Sequence, residues 1–253
     1  GWSAWIGAPL LSLLLTLGWA AYELVMGQQG EEVILFSPEA LSDDGELLLD
    51  RSGWDTARAF CVFLPASSSE QDNAHEHDDA AFAMLWHAFV DLVDPEQVEH
   101  LILGMWDPLE AHEPEVLYEL ILPDMPTFTN LSSLFLGDID ADALEMAWIR
   151  QADVGPLLSS LPSLRFFGVR GGDGLRLSSC PEHPHLESLV IESTGLSPEL
   201  IEEIANMQLP ALRHLELWLG EIHEEEDALE SAPLEGVASI SRGLESLALC
   251  NTA

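Results

Sequence analysis

Three observations predict an α/β solenoid, a stack of short repeats that each give one strand to a parallel sheet. A single apolar frame returns six times, helix-like segments fill the longer gaps between its copies, and 47% of the residues are hydrophobic, enough for one continuous core. The frame is six residues long with apolar side chains at positions 1, 4 and 6. It reads VEHLIL (98–103), LSSLFL (131–136), LRFFGV (164–169), LESLVI (186–191), LRHLEL (212–217) and LESLAL (244–249), with starts 33, 33, 22, 26 and 32 residues apart. Self-similarity at a period of about 20–50 residues marks stacked repeats. On a short strand, positions 4 and 6 share one face. A single unit cannot bury that face alone, so neighbours must stack. The final unit, LESLALCN, fits the leucine-rich-repeat consensus, with Asn251 within one place of the expected Asn. The expected architecture is therefore an irregular horseshoe, with parallel strands on the concave face and helices outside. Its uneven steps exclude a smooth one, and six returns of one frame fit ordinary βαβ units in a doubly wound sheet less well.

The chain divides into three parts. Residues 1–30 hold an apolar segment whose first 26 residues carry one charge, Glu23. It is long enough to span a bilayer, with Trp2, Trp5 and Trp19 as interfacial aromatics. The other reading is a buried helix capping the open end of the core. It lacks the basic start of a signal peptide. Residues 31–96 cap the array with strands at 32–36, 46–49 and 58–64, a polar loop at 66–80 and a helix. In the helix AFAMLWHAFVDLV (81–93), Phe82, Leu85, Trp86, Phe89, Val90 and Val93 fall at helical spacing. Residues 97–253 are the array. Its gaps carry helices at 113–122, at 141–160 with a break near Gly155-Pro156, and at 197–207. The last starts with Ser197 as N-cap and Pro198 at the first helical position. The missing initial Met and the halt two residues past Asn251 suggest a fragment.

Charge narrows the functional classes. The chain holds 45 Asp and Glu against 8 basic residues, all Arg, for a net charge of −37. Nucleic-acid binding through phosphate neutralisation needs clustered Lys or Arg and is excluded. Attraction to an anionic membrane surface is disfavoured for the same reason. An acidic, lysine-free surface suits high salt, where about 1 M electrolyte cuts the Debye length to roughly 3 Å. The alternative is a solvated acidic surface at ordinary salt. A salt series of unfolding midpoints separates the two. Cys61, Cys180 and Cys250 lie far apart with no paired spacing, which reads as reduced, buried thiols in a non-oxidising compartment.

The segments LFLGDID (134–140), AWIRQADVGPLL (147–158), LRFFGVRGG (164–172) and LPALRHLELWLG (209–220) resemble a family of bacterial cytoplasmic leucine-rich-repeat proteins. The resemblance covers roughly residues 57–251. It implies an α/β solenoid and a cytoplasmic location, and it brings no catalytic residues, cofactor or activity with it. The apolar segment at 1–30 has no counterpart there, so a membrane anchor is the alternative location.

The same frame puts positions 3, 5 and 7 on the concave surface. Aromatic side chains beside a few charges are what protein-binding faces use. Phe135, Phe166, Arg170, His214, Glu216 and Trp218 are the candidate anchors for a protein partner. If flanking segments cover this face, these residues are core instead. Arg170 and Glu192 take equivalent places on adjacent strands and predict a cross-strand ion pair. His75-Glu76-His77-Asp78-Asp79 offers metal donors, but alternate residues in a loop match no zinc pattern. His183-Pro184-His185 is no stronger. Arg170-Gly171-Gly172-Asp173-Gly174 lacks the Lys-Ser/Thr of a phosphate loop and reads as a turn after a strand. The expected function is a non-catalytic scaffold with no cofactor or metal. The alternatives are a metal-dependent enzyme or enzyme subunit at the His-containing loop and a membrane-tethered, receptor-like module using residues 1–26.

Overall fold

The computed structural model describes residues 33–36, 57–63, 78–104, 114–139, 144–220 and 243–250. The apolar segment at 1–26, the strand expected at 46–49, loop residues 66–77 and Asn251 lie outside them. Eight strands form one sheet in chain order: β1 (Val33–Phe36), β2 (Ala59–Val62), β3 (His100–Gly104), β4 (Ser133–Asp138), β5 (Phe166–Arg170), β6 (Ser188–Glu192), β7 (His214–Trp218) and β8 (Ser246–Cys250). Every neighbouring pair is parallel. The molecule is an α/β leucine-rich-repeat solenoid.

The ladder register follows the sequence frame. His100 pairs with Ser133, Ser133 with Phe166, Phe166 with Ser188, Ser188 with His214, and His214 with Ser246. Each of these is position 3 of its unit, so the irregular steps are absorbed in the connections and the strands stay aligned. β2 extends the same ladder, Ala59 pairing with His100. Its unit, ARAFCV (57–62), escapes a leucine-based reading because Ala57 holds position 1.

Positions 4 and 6 build the main core. Phe60, Val62, Leu101, Leu103, Leu134, Leu136, Phe167, Val169, Leu189, Ile191, Leu215 and Leu217 are buried together with the helices. Burying one such side chain contributes about 1.5–3 kcal/mol, which makes stacking the dominant stabilising term. Helix α1 (Asp78–Leu92) packs Trp86 and Phe89 against Phe60 and Phe128. The Trp86 indole N–H donates to Asp124 at 2.8 Å. Helix α2 (Pro114–Ile121) buries Leu117, Tyr118 and Ile121.

The gap between β4 and β5 departs from the expected long helix. Residues 146–148 form a 3-10 turn, residues 150–153 bridge in parallel to 173–176, and among the described residues only α3 (Gly155–Ser160) is α-helical. The Gln151 N–H donates to the Asp173 carbonyl and that of Val154 to Arg176. Helix propensity across LEMAW (144–148) is a weak preference that this second ladder overrides. The 22-residue step from β5 to β6 carries no helix. Helix α4 (Pro198–Asn206) starts as expected, with the Ser197 hydroxyl accepting from the Leu200 N–H at 3.2 Å. Leu200, Ile201 and Ile204 are its buried face.

Candidate functional site

Alternation along each strand turns positions 3, 5 and 7 away from the main core and toward the concave side of the sheet. This face divides into two unlike halves. From β2 to β6 it is a second apolar core, in which Cys61, Ile102, Phe135, Phe166 and Val190 are buried with Phe63 packed against them. Phe135 is 0% exposed and Phe166 is 1% exposed. Gly168 makes room for this packing: a Cβ there would stand 2.3 Å from the Phe135 ring. Buried as they are, the two phenylalanines present no surface to a partner.

Arg170 closes the buried half at the strand ends. Its Nε donates to Glu192 at 2.7 Å, one guanidinium N–H donates to the Ile139 carbonyl, and Asp138 lies 3.6 Å away. The guanidinium sits 5.8 Å from the centroid of the Phe135 ring. All three charged side chains are nearly inaccessible. The ion pair with Glu192 is the one that ladder equivalence predicts. Asp138 was not legible in the frame, which gives position 7 of this unit to Gly137. A bulge shifts the register so that Gly104 pairs with Asp138. Gly137 has φ +80, and a Cβ would stand 2.5 Å from the Arg170 carbonyl oxygen, so only glycine fits the bulge. Gly137-Asp138 at a strand end was the available signal. From below, Gln151 donates to the Arg170 carbonyl at 2.7 Å and accepts the hydroxyl hydrogen bond of Tyr118. Burial, and then the nearby Glu115, push the Tyr118 phenol well above its ordinary range.

The other half, β7 and β8, is open. His214, Glu216 and Trp218 are partly exposed at alternate positions of one strand. The His214 and Glu216 side chains retain 30% and 15% of their surface. The Trp218 indole N–H donates to Glu216 Oε1 at 2.7 Å, and His214 Nε2 lies 3.6 Å from Glu216 Oε2. Thus Trp218 and His214 flank one carboxylate along a single strand. On β8, Cys250 pairs with Trp218 in the ladder. Burial first, then Glu216 and Glu192, push its thiol pKa up. The core-facing Leu247 and Leu249 of β8 are 42% and 43% exposed. The six candidate residues are therefore split, with Phe135, Phe166 and Arg170 inside and His214, Glu216 and Trp218 at the surface.

The glycine run and His183 are structural. The Gly171 N–H donates to the Glu192 carbonyl inside the ladder, and Gly171 and Gly174 take positive φ in the turn that follows. This leaves the glycine run as a strand end and its turn. His183 is buried, with Nε2 at 3.0 Å from the Leu161 carbonyl, and burial lowers its pKa. Cys61 and Cys180 are buried free thiols and Cys250 a half-buried one. No group of three or more His, Cys, Asp or Glu among the described residues is arranged to hold a metal. Nor is any helix among the described residues long and apolar enough to cross a membrane.

These features define a leucine-rich-repeat solenoid whose concave face, among the described residues, is partly exposed at its β7–β8 end. The chain is similar to a Bacteroides fragilis protein of known crystal structure, with a TM-score of 0.61 at 23% identity over 76% of this chain and 52% of that one. It thus spans about half the length of that protein. An internalin from Listeria monocytogenes also matches, at 15% identity and a TM-score of 0.30, covering 76% of this chain and 54% of its own. The first likeness speaks to the fold alone, and the second is too low to carry an argument. No family model and no curated protein matches the chain.

Proposed function

We propose that the protein is a non-catalytic scaffold that holds a protein partner on the open, β7–β8 end of its concave sheet. The observation that carries this reading is the strip His214, Glu216 and Trp218, partly exposed on a sheet face whose other half is apolar core. Tryptophan is among the residues that dominate binding energy when an interface closes over them. The flanking carboxylate and imidazole give the strip polar specificity. Phe135, Phe166 and Arg170 serve as its foundation and do not touch the partner. A cytoplasmic location is part of the same reading.

The test is affinity capture with immobilised wild-type chain and with Trp218→Ala. The expected result is a defined protein retained by the wild type and lost from the variant, with the unfolding midpoint changed by only a few degrees. Equal retention by both chains would contradict the proposal.

A further inference from the structure

We infer that the open strip takes a basic segment of the partner protein, with an arginine or lysine cation held over the face of the Trp218 ring and against the Glu216 carboxylate. This rests on the scaffold reading above and names the chemistry of its partner.

The concave face already shows how it holds a cation. Arg170 lies over the Phe135 ring at 5.8 Å while Glu192 and Asp138 flank its guanidinium. On β7 a ring and a carboxylate meet again, and among the described residues no arginine stands between them. The polar partners of Glu216 among the described residues are Trp218 and His214, neither of them an arginine. Tryptophan is also the strongest of the aromatic rings for cation binding.

Charge points the same way. Among the described residues the face carries the carboxylates of Asp138, Glu192 and Glu216 and the guanidinium of Arg170. Behind them stands a chain of net charge −37 without lysine. Such a field steers a basic segment inward and speeds its association. Order helps as well. The indole N–H fixes the carboxylate before anything binds, so little rotamer freedom remains to be lost on docking.

A fluorescein-labelled peptide of alternating arginine and serine is the probe, followed by fluorescence anisotropy at low and near-physiological salt. Glu202→Gln on the outer side of α4 removes the same charge away from the strip and serves as the control. Glu216→Gln and Trp218→Ala are each expected to weaken binding roughly tenfold, and Glu202→Gln less than about twofold. Trp218→Leu keeps apolar volume without the ring. Loss of binding in that variant at an unchanged unfolding midpoint would separate the ring's role from folding. Equal weakening by Glu216→Gln and Glu202→Gln would mean diffuse attraction to an acidic protein and would overturn the inference. So would a wild-type chain that ignores the peptide while partner capture still depends on Trp218, a result that leaves the scaffold reading standing.

Discussion

The two halves of the concave face use the same strand positions for opposite ends. At position 5, β3 and β4 place Ile102 and Phe135 in a sealed apolar layer, whereas β7 places Glu216 beside solvent. At position 7, Arg170 on β5 is locked between two buried carboxylates, whereas Trp218 on β7 keeps part of its ring accessible. The repeat fixes where a side chain points. What it does there depends on whether that stretch of the sheet is covered.

The contrast can be broken most forcefully from the buried side. Phe166→Ala is expected to cost about 3–5 kcal/mol, the range for truncating a fully buried aromatic, measured by denaturant unfolding. Arg170→Met should cost a similar amount, about 3–5 kcal/mol, because it leaves Asp138 and Glu192 as uncompensated buried charges. Adding Asp138→Asn and Glu192→Gln to it should restore much of the loss. A triple variant no more stable than Arg170→Met would show that the charge cluster is not what Arg170 serves. Gly137→Ala strikes the bulge that delivers Asp138, and strained backbone of this kind costs about 1–3 kcal/mol.

Changes in the open half are expected to be milder. Trp218→Ala should lower stability by only about 1 kcal/mol, the centre of the range for single substitutions. A loss as large as that of Phe166→Ala would erase the distinction between the halves. The smallest expected effect is a pH dependence away from both. His183 is held neutral in the fold with its pKa below the ordinary 6.5, while the unfolded chain protonates near 6.5. Stability from this group is therefore complete above about pH 6.5 and declines as the pH falls toward the folded pKa, because the unfolded state then binds more protons. His183→Gln should flatten that slope in thermal melts recorded between pH 7.5 and 5.

Much of the fold was legible from residue spacing. The frame assigned the ladder partners of five successive strand pairs, from His100–Ser133 to His214–Ser246, because period-two alternation and leucine spacing report directly on which face meets the core. It did not include β2, where Ala57 replaces the leading leucine, although the apolar run at 58–64 gave a strand there. The helix expected over 141–160, with a break near Gly155-Pro156, is α-helical among its described residues only at 155–160, since local propensity carries no information about a distant bridge from 150–153 to 173–176. The candidate site was legible only in part. A strand pattern tells which side chains share the concave face but not what lies over it, so Phe135 and Trp218 look alike in sequence. The bulge at Gly137, which brings Asp138 to Arg170, depends on one backbone angle and shifts the frame by a residue. The Arg170–Glu192 pair was visible because both residues hold position 7.

The divided face is tested most directly by the native thiols. Cys61 lies in the sealed layer, Cys180 in the main core, and Cys250 beside Trp218 on the open strip. Labelling the folded chain with a maleimide near pH 8, followed by peptide mapping, should modify Cys250 while Cys61 and Cys180 react only after unfolding. Reaction of Cys61 as fast as Cys250 in the folded chain would contradict a face that is core at one end and open at the other.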